Sequence, residues 1–185
     1  MTDQTHQDAV REIEAHIRTV PDFPRSGISF KDITPLIEDG RALHTAVDAL
    51  AGVAEGIEYD RILSAEARGF VFGTALAYRA RKGLILARKP NKLPRETISA
   101  TYDLEYGTDA LEAHTDAIPE GTRVLVADDL LATGGTARAM CQLVENAGGT
   151  VAGVAFLIEL VYLGGRDKLK PYEVVCVITY DDPQD

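Results

Sequence analysis

The sequence predicts an α/β fold in which a mainly parallel sheet is covered by helices on both faces. Two observations carry this. Short apolar runs rich in β-branched residues recur at 61–64, 84–87, 123–127, 151–158 and 174–179, with helical stretches between several of them. The runs are also nearly continuous in apolar residues, as strands buried on both faces must be. A third observation sets the scale. The chain has 185 residues, 45% hydrophobic and 26% charged, with no internal repeat or low-complexity linker. That composition suits one domain spanning 1–185, whose core hides roughly two-thirds of the unfolded surface.

The elements follow in order. Val10, Ile13, Ile17 and Val20 fall at helical spacing, so the first helix is predicted to run to Pro21, which ends it. The next stretch, PDFPRSGISFKDITP, holds three prolines and a glycine within it and is predicted to be an irregular surface loop. Leu43, Val47 and Leu50 share one face of a second helix over 41–54. Further helices are predicted at 69–81 and 136–146. Residues 89–120 break the alternation, with few apolar runs and many polar side chains. A stretch of that length without a core-forming pattern is more often a functional flap than a passive connection.

Charge and cysteine content narrow the function classes. The net charge is −10, from 19 basic and 29 acidic residues. An acidic surface repels phosphate backbones and argues against a general binder of nucleic acid or anionic membranes, but permits a local positive pocket. Cys141 and Cys176 form no CxxC pair, which excludes a disulfide scaffold and points to a reducing compartment. The longest clean apolar run, 151–158, is far shorter than the ~20 residues that span a bilayer. The polar start MTDQTHQDAVREIE lacks a signal-peptide core, so a cytoplasmic location is expected. The four histidines show neither HExxH spacing nor a cysteine cluster, and no GxGxxG or GxxxxGK[ST] loop occurs. Zinc, dinucleotide and P-loop chemistry are therefore disfavoured.

The segment that carries chemistry is RVLVADDLLATGGT, from Arg123 to Thr136. It reads as a buried strand, two adjacent carboxylates, a loop of small residues and a helix start. Ligands of open α/β sheets bind beyond the carboxyl ends of strands, where this segment changes character. Ala132, Thr133, Gly134, Gly135 and Thr136 leave backbone N–H groups and hydroxyls free to surround a phosphate, with the helix dipole behind them. Asp128 and Asp129 can accept hydrogen bonds from vicinal sugar hydroxyls or hold a divalent cation. An ordinary strand-to-helix connection accounts for DD or GG alone, but not for the whole string.

This string resembles the phosphoribosyl-diphosphate (PRPP) binding motif of type I phosphoribosyltransferases. Four further segments extend the resemblance toward the adenine-using members of that family: PDFPRSGISFKDITPL, SAEARGFVFG, ARKPNKLPRETISATYDLEYGTD and LIEL. They follow the family's order and cover most of residues 20–165. Ala127 and Asn91 depart from the usual valine and glycine, at positions not expected to touch ligand. The resemblance implies the family's fold, with a small N-terminal hood over 1–35 and a flexible catalytic loop over 89–120. It implies transfer of phosphoribose from PRPP to adenine, giving AMP and diphosphate. Mg²⁺ would be bound mainly through PRPP, with no direct protein ligand expected, and the enzyme would be a homodimer.

Residue roles follow from the same resemblance. Ala67 and Arg68, with Gly69, would form the loop under the diphosphate, where a guanidinium fork suits phosphate oxygens. Arg88, Lys89, Lys92 and Arg95 place four positive charges within eight residues; Arg88, Lys89 and Lys92 are assigned to the diphosphate. Glu105 would manage a proton at the purine as the catalytic residue. Tyr102 and Tyr106 would shield the site when the flap closes. Phe30 would stack on the base, the backbone of Ser29 and Lys31 would read its edge, and Leu160 would cover the opposite face. Two other readings stay open. One is the same transfer to a 6-oxopurine such as hypoxanthine, guanine or xanthine. The other is a PRPP-sensing regulatory protein, against which the acidic charge and the complete flap both argue.

Overall fold

A computed structural model describes residues 3–103 and 108–183. The elements are α1 (Asp3–Glu14), β1 (Arg18–Pro21), β2 (Ser29–Asp32), α2 (Thr34–Glu38), α3 (Gly40–Val53), β3 (Arg61–Ala65), α4 (Gly69–Ala80), β4 (Gly83–Ala87), β5 (Thr97–Asp103), β6 (Thr108–His114), β7 (Arg123–Leu131), α5 (Gly135–Asn146), β8 (Thr150–Leu160) and β9 (Val174–Tyr180). Short 3-10 turns lie at Thr115–Ala117, Val161–Leu163 and Gly165–Leu169.

Alternation along the strands decides the layering. In β7, Leu125 and Ala127 point into one core with Ile62, Phe72 and Leu76, while Val124 and Val126 point into a second with Leu63, Met140 and Leu143. The first core is roofed by α1, α3 and α4, and the second by α5 and the β5–β6 hairpin. The five strands between them run parallel in the order β4-β3-β7-β8-β9, so β7 is central. Each fully buried Leu, Ile, Val or Phe contributes about 1.5–3 kcal/mol by leaving water. Caps define the helices. Asp39 accepts from the N–H groups of Arg41 at 2.9 Å and Ala42 at 2.8 Å, starting α3 with a cap that contributes about 1 kcal/mol.

Three expectations are corrected. α1 stops at Glu14, not at Pro21, and residues 18–21 form β1 instead. The helix tightens into i→i+3 bonds from His16 to Ile13 and from Ile17 to Glu14, after which β-branched Thr19 and Val20 pair with β2. The proline-rich stretch is likewise not wholly irregular, because Ser29–Asp32 is the second strand of that hairpin. Within 89–120 the chain forms β5 and β6, whose Ala100, Leu111 and Ala113 are buried on the α5 side. Small inward alanines carry little hydropathy, which hid the alternation.

Candidate active site

The central strand β7 continues past its apolar run, and Asp128 and Asp129 are its sixth and seventh residues, not part of the loop beyond it. Both are buried, at 8% and 5% exposure. Burial pushes the Asp128 carboxyl well above the usual carboxylate range, and the neighbouring Asp129 charge adds to the rise. Burial also raises Asp129, with the Arg68 guanidinium pulling the other way. The Asp129 N–H donates to Asp128 Oδ1 at 3.0 Å. Arg68 Nε lies 2.8 Å from Asp129 Oδ2, yet that oxygen is buried and receives no hydrogen bond. The ion pair compensates its charge, and the hydrogen-bonding capacity left over is open to a ligand hydroxyl.

A cavity of about 280 Å³ opens here at the carboxyl ends of β3 and β7. One wall is Glu66–Gly69, and the other is Asp128 through Ala137. Two glycines allow the walls to close. A Cβ on Gly69 would sit 2.1 Å from Asp128 Oδ1, and Gly134 has φ +78°, a left-handed conformation that side chains resist. Gly134 is also the N-cap of α5, with no side chain capping the helix. The first-turn N–H groups of Gly135 and Thr136 are thus presented to the cavity, where an anion would satisfy them. The Glu66–Ala67 peptide beneath is cis.

The assigned diphosphate cations stand just outside. Arg88, Lys89 and Lys92 do not line the cavity, but two are tied to Glu66, which does. Arg88 Nε donates to Glu66 Oε2 at 2.8 Å, and the Lys89 N–H donates to Oε1 at 2.7 Å. Burial alone would raise Glu66, but these donors outweigh it and hold the carboxyl below its ordinary value. The Lys89 ammonium pairs with Asp109 and donates to the Tyr102 hydroxyl at 3.1 Å, so the flap tyrosine joins the cluster near the turn end of the hairpin. Lys92 is exposed, and its carbonyl accepts from Arg88 at 3.3 Å. Arg95 pairs instead with Asp116 on the surface. Glu105 and Tyr106 lie outside the described residues.

The hood residues approach through Arg68. Its guanidinium carbon lies 5.2 Å from the centre of the Phe30 ring, within reach of a cation–π contact, while the same group faces Asp129. Phe30 is half-buried and packs edge-on against Phe23 at 5.1 Å. Ser29, Phe30 and Lys31 belong to β2. Among the described residues only β1 pairs with β2, which leaves one edge of its backbone without a strand partner. The Lys31 side chain is buried, donates to Thr19 Oγ1 at 2.9 Å and lies 4.2 Å from the Tyr180 ring centre. Tyr180 is the register partner of Leu160, so the hood sits near the assigned base-covering leucine. Glu66 and Gly165, the residue against which Gly134 packs, were not assigned from sequence. Glu66 stands inside the SAEARG string, directly after an apolar strand, and that position was the available signal.

A central-strand carboxylate pair, a glycine-bounded helix start and an opposed arginine loop meet at one cavity, and residues 37–183 match the phosphoribosyl transferase domain family. The relatives narrow this. The chain is 69% identical to the adenine phosphoribosyltransferase of Rubrobacter xylanophilus over 94% of this chain and 95% of that one. It is 51% identical to the crystal structure of adenine phosphoribosyltransferase from Thermoanaerobacter pseudethanolicus, covering 92% and 99% of the two chains with a TM-score of 0.91. The Saccharomyces cerevisiae adenine phosphoribosyltransferase, solved with an imino-altritol bisphosphate and adenine, is 35% identical over 92% and 99%, at a TM-score of 0.87. The chain belongs to the adenine phosphoribosyltransferase family.

Proposed function

We propose that the protein converts adenine and PRPP to AMP and diphosphate, with the sugar held along the end of β7. The observation that carries this is the cavity itself. It joins a backbone cradle at Ala132–Thr136 to two buried carboxylates, and faces an arginine that also reaches Phe30. The 5′-phosphate takes the N–H groups of the cradle and the hydroxyls of Thr133 and Thr136, and Asp128 and Asp129 accept from the ring hydroxyls. Ala67 to Gly69 and the Arg88–Lys89 group hold the diphosphate. Phe30 and Leu160 enclose the purine, and the open edge of β2 at Ser29 and Lys31 reads its rim. The yeast relative's complex with adenine supports the base assignment.

In the reaction the bond from C1′ to diphosphate breaks as N9 of adenine bonds to C1′. Catalysis comes from positioning and from stabilising charge on the leaving group. Arg68 is suited to this because its fork is planar and permanently charged. Glu105 shares a proton at N7, which keeps the base in its reactive form. Tyr102, held by Lys89 and Asp109, and Tyr106 screen the site from water.

Mg²⁺ fits the donor set. Asp128 and Asp129 place hard carboxylate oxygens beside the cavity, and no group of three or more metal-holding side chains occurs among the described residues. PRPP's own oxygens would hold most of the ion's coordination, and the ion would supply neutralising charge to the diphosphate. No described helix is long and apolar enough to cross a membrane. A cytoplasmic homodimer is part of this proposal, supported by the family resemblance. The test is direct: protein given PRPP and Mg²⁺ makes AMP from adenine and little product from hypoxanthine. Preference for hypoxanthine overturns the base assignment, because a site built for one exocyclic group rejects the other strongly.

A further inference from the structure

The phosphate cradle is backed by main chain. Where it turns, it meets the 3-10 turn that begins at Gly165. A Cβ on Gly134 would lie 2.4 Å from the Gly165 carbonyl oxygen, and one on Gly165 would lie 2.1 Å from the Ala132 carbonyl oxygen. Two glycines let the segments touch backbone to backbone, so wherever Gly165 sits the cradle must follow.

The residue after Gly165 is anchored. Arg166 Nε donates to Glu159 Oε1 at 2.9 Å, its Nη2 pairs with Oε2, and its Nη1 donates to the Val174 carbonyl at 2.7 Å. Glu159 is 4% exposed, and Cys176 Sγ also donates to it at 3.4 Å. The parallel register places Glu159 opposite Leu131, the last residue of β7 before the cradle. The two-pronged pair therefore ties the Gly165 segment to the sheet at the level where the cradle departs. A bidentate carboxylate–guanidinium pair restrains rotation as well as distance.

We infer that Glu159 and Arg166 are positioning residues for the 5′-phosphate, holding Gly165 against Ala132–Gly134 so that the cradle N–H groups converge on the anion. This rests on reading the cradle as the 5′-phosphate site. Neither side chain lines the cavity. They act through Gly165, and a pair with a merely structural role would lower stability and disturb both substrates alike.

The test uses the full chain with Glu159→Gln, Arg166→Gln, Arg166→Lys and the double Gln variant, and Thr136→Ala as a direct cradle control. KM is measured separately for PRPP and adenine, AMP affinity by calorimetry, and folding by circular dichroism. Each pair variant is expected to raise KM for PRPP and weaken AMP about 10- to 100-fold, while KM for adenine moves by about twofold or less. The double variant should add little to either single change, since all remove one interaction. Arg166→Lys should stay impaired for PRPP because it keeps the charge but not the fork. Should Arg166→Gln fail to fold, Gly165→Ala provides the same readout by pressing a Cβ on the Ala132 carbonyl. An unchanged KM for PRPP in folded variants, or equal rises for both substrates, overturns the inference. If Thr136→Ala also leaves AMP binding unchanged, it is the phosphate reading of the cradle that has failed.

Discussion

Gly69→Ala should damage PRPP use far more than its size suggests. The new Cβ would sit 2.1 Å from Asp128 Oδ1 and 3.1 Å from its Cγ. Van der Waals contact requires a retreat of about 1 Å, and Asp128 is buried with its Oδ1 already bonded to the Asp129 N–H. A displacement of that size in a positioned group costs on the order of 10²-fold, so kcat/KM for PRPP should fall by about that factor. Overpacking should also remove about 1–3 kcal/mol of stability, and each kcal/mol lowers Tm by about 2–4 °C at this chain length. Gly73→Ala is the matched control on the same helix. Its Cβ would lie 2.0 Å from Ser64 Oγ, an equal insult outside the cavity lining. Initial rates with varied PRPP, set beside melting curves, separate the two effects. The control should lose similar stability but stay within about threefold in kcat/KM, as expected when the reacting groups do not move. Gly69→Ala with near-normal kcat/KM, or Gly73→Ala as damaged as Gly69→Ala, would refute the reasoning.

Three further outcomes are expected. Asp128→Asn should stabilise the ligand-free protein at neutral pH by about 0.5–2 kcal/mol while weakening PRPP binding, a trade of stability against function. The folded carboxyl titrates well above its unfolded value of 3.8, so its ionisation penalty grows as pH rises above that value and is gone below it. Melting curves should therefore converge on acidification, and a variant that melts below the parent at pH 7 contradicts this. Asp60 is depressed to about 2 by hydrogen bonds from Arg123. Its contribution is present above the unfolded value of 3.8 and lost as pH falls toward 2, so Asp60→Asn should flatten acid unfolding in that window; parallel curves would refute it. Glu105→Gln should lower kcat by about 10²–10⁴-fold with a smaller change in PRPP affinity, and an unchanged rate removes Glu105 from the mechanism.

Much of the architecture was legible because its signals are short-range. Five apolar runs named the five strands of the central sheet, within one or two residues at most ends, and the TGGT string placed the start of α5. The errors share a cause. Residues 18–21 form a strand only because Ser29–Asp32 lies beside them, and Asp128 and Asp129 remain in strand because β8 continues to pair with β7 past the apolar run. In the flap, buried alanines contribute too little hydropathy to reveal β5 and β6 against their polar neighbours.

The chain's own residues, read in order, carried the family and the chemistry proposed for it: small residues for an anion, paired acids for a sugar, arginines for a diphosphate. Tertiary structure alone decided what each faces. It set Arg68 between Phe30 and Asp129, gave Glu66 to Arg88 and Lys89, and laid Gly165 behind Gly134. Periodicity and turn preference are properties of a few adjacent residues, so they can be read locally. A contact between distant segments depends on strand order and on the close packing of whole layers, which no short window contains.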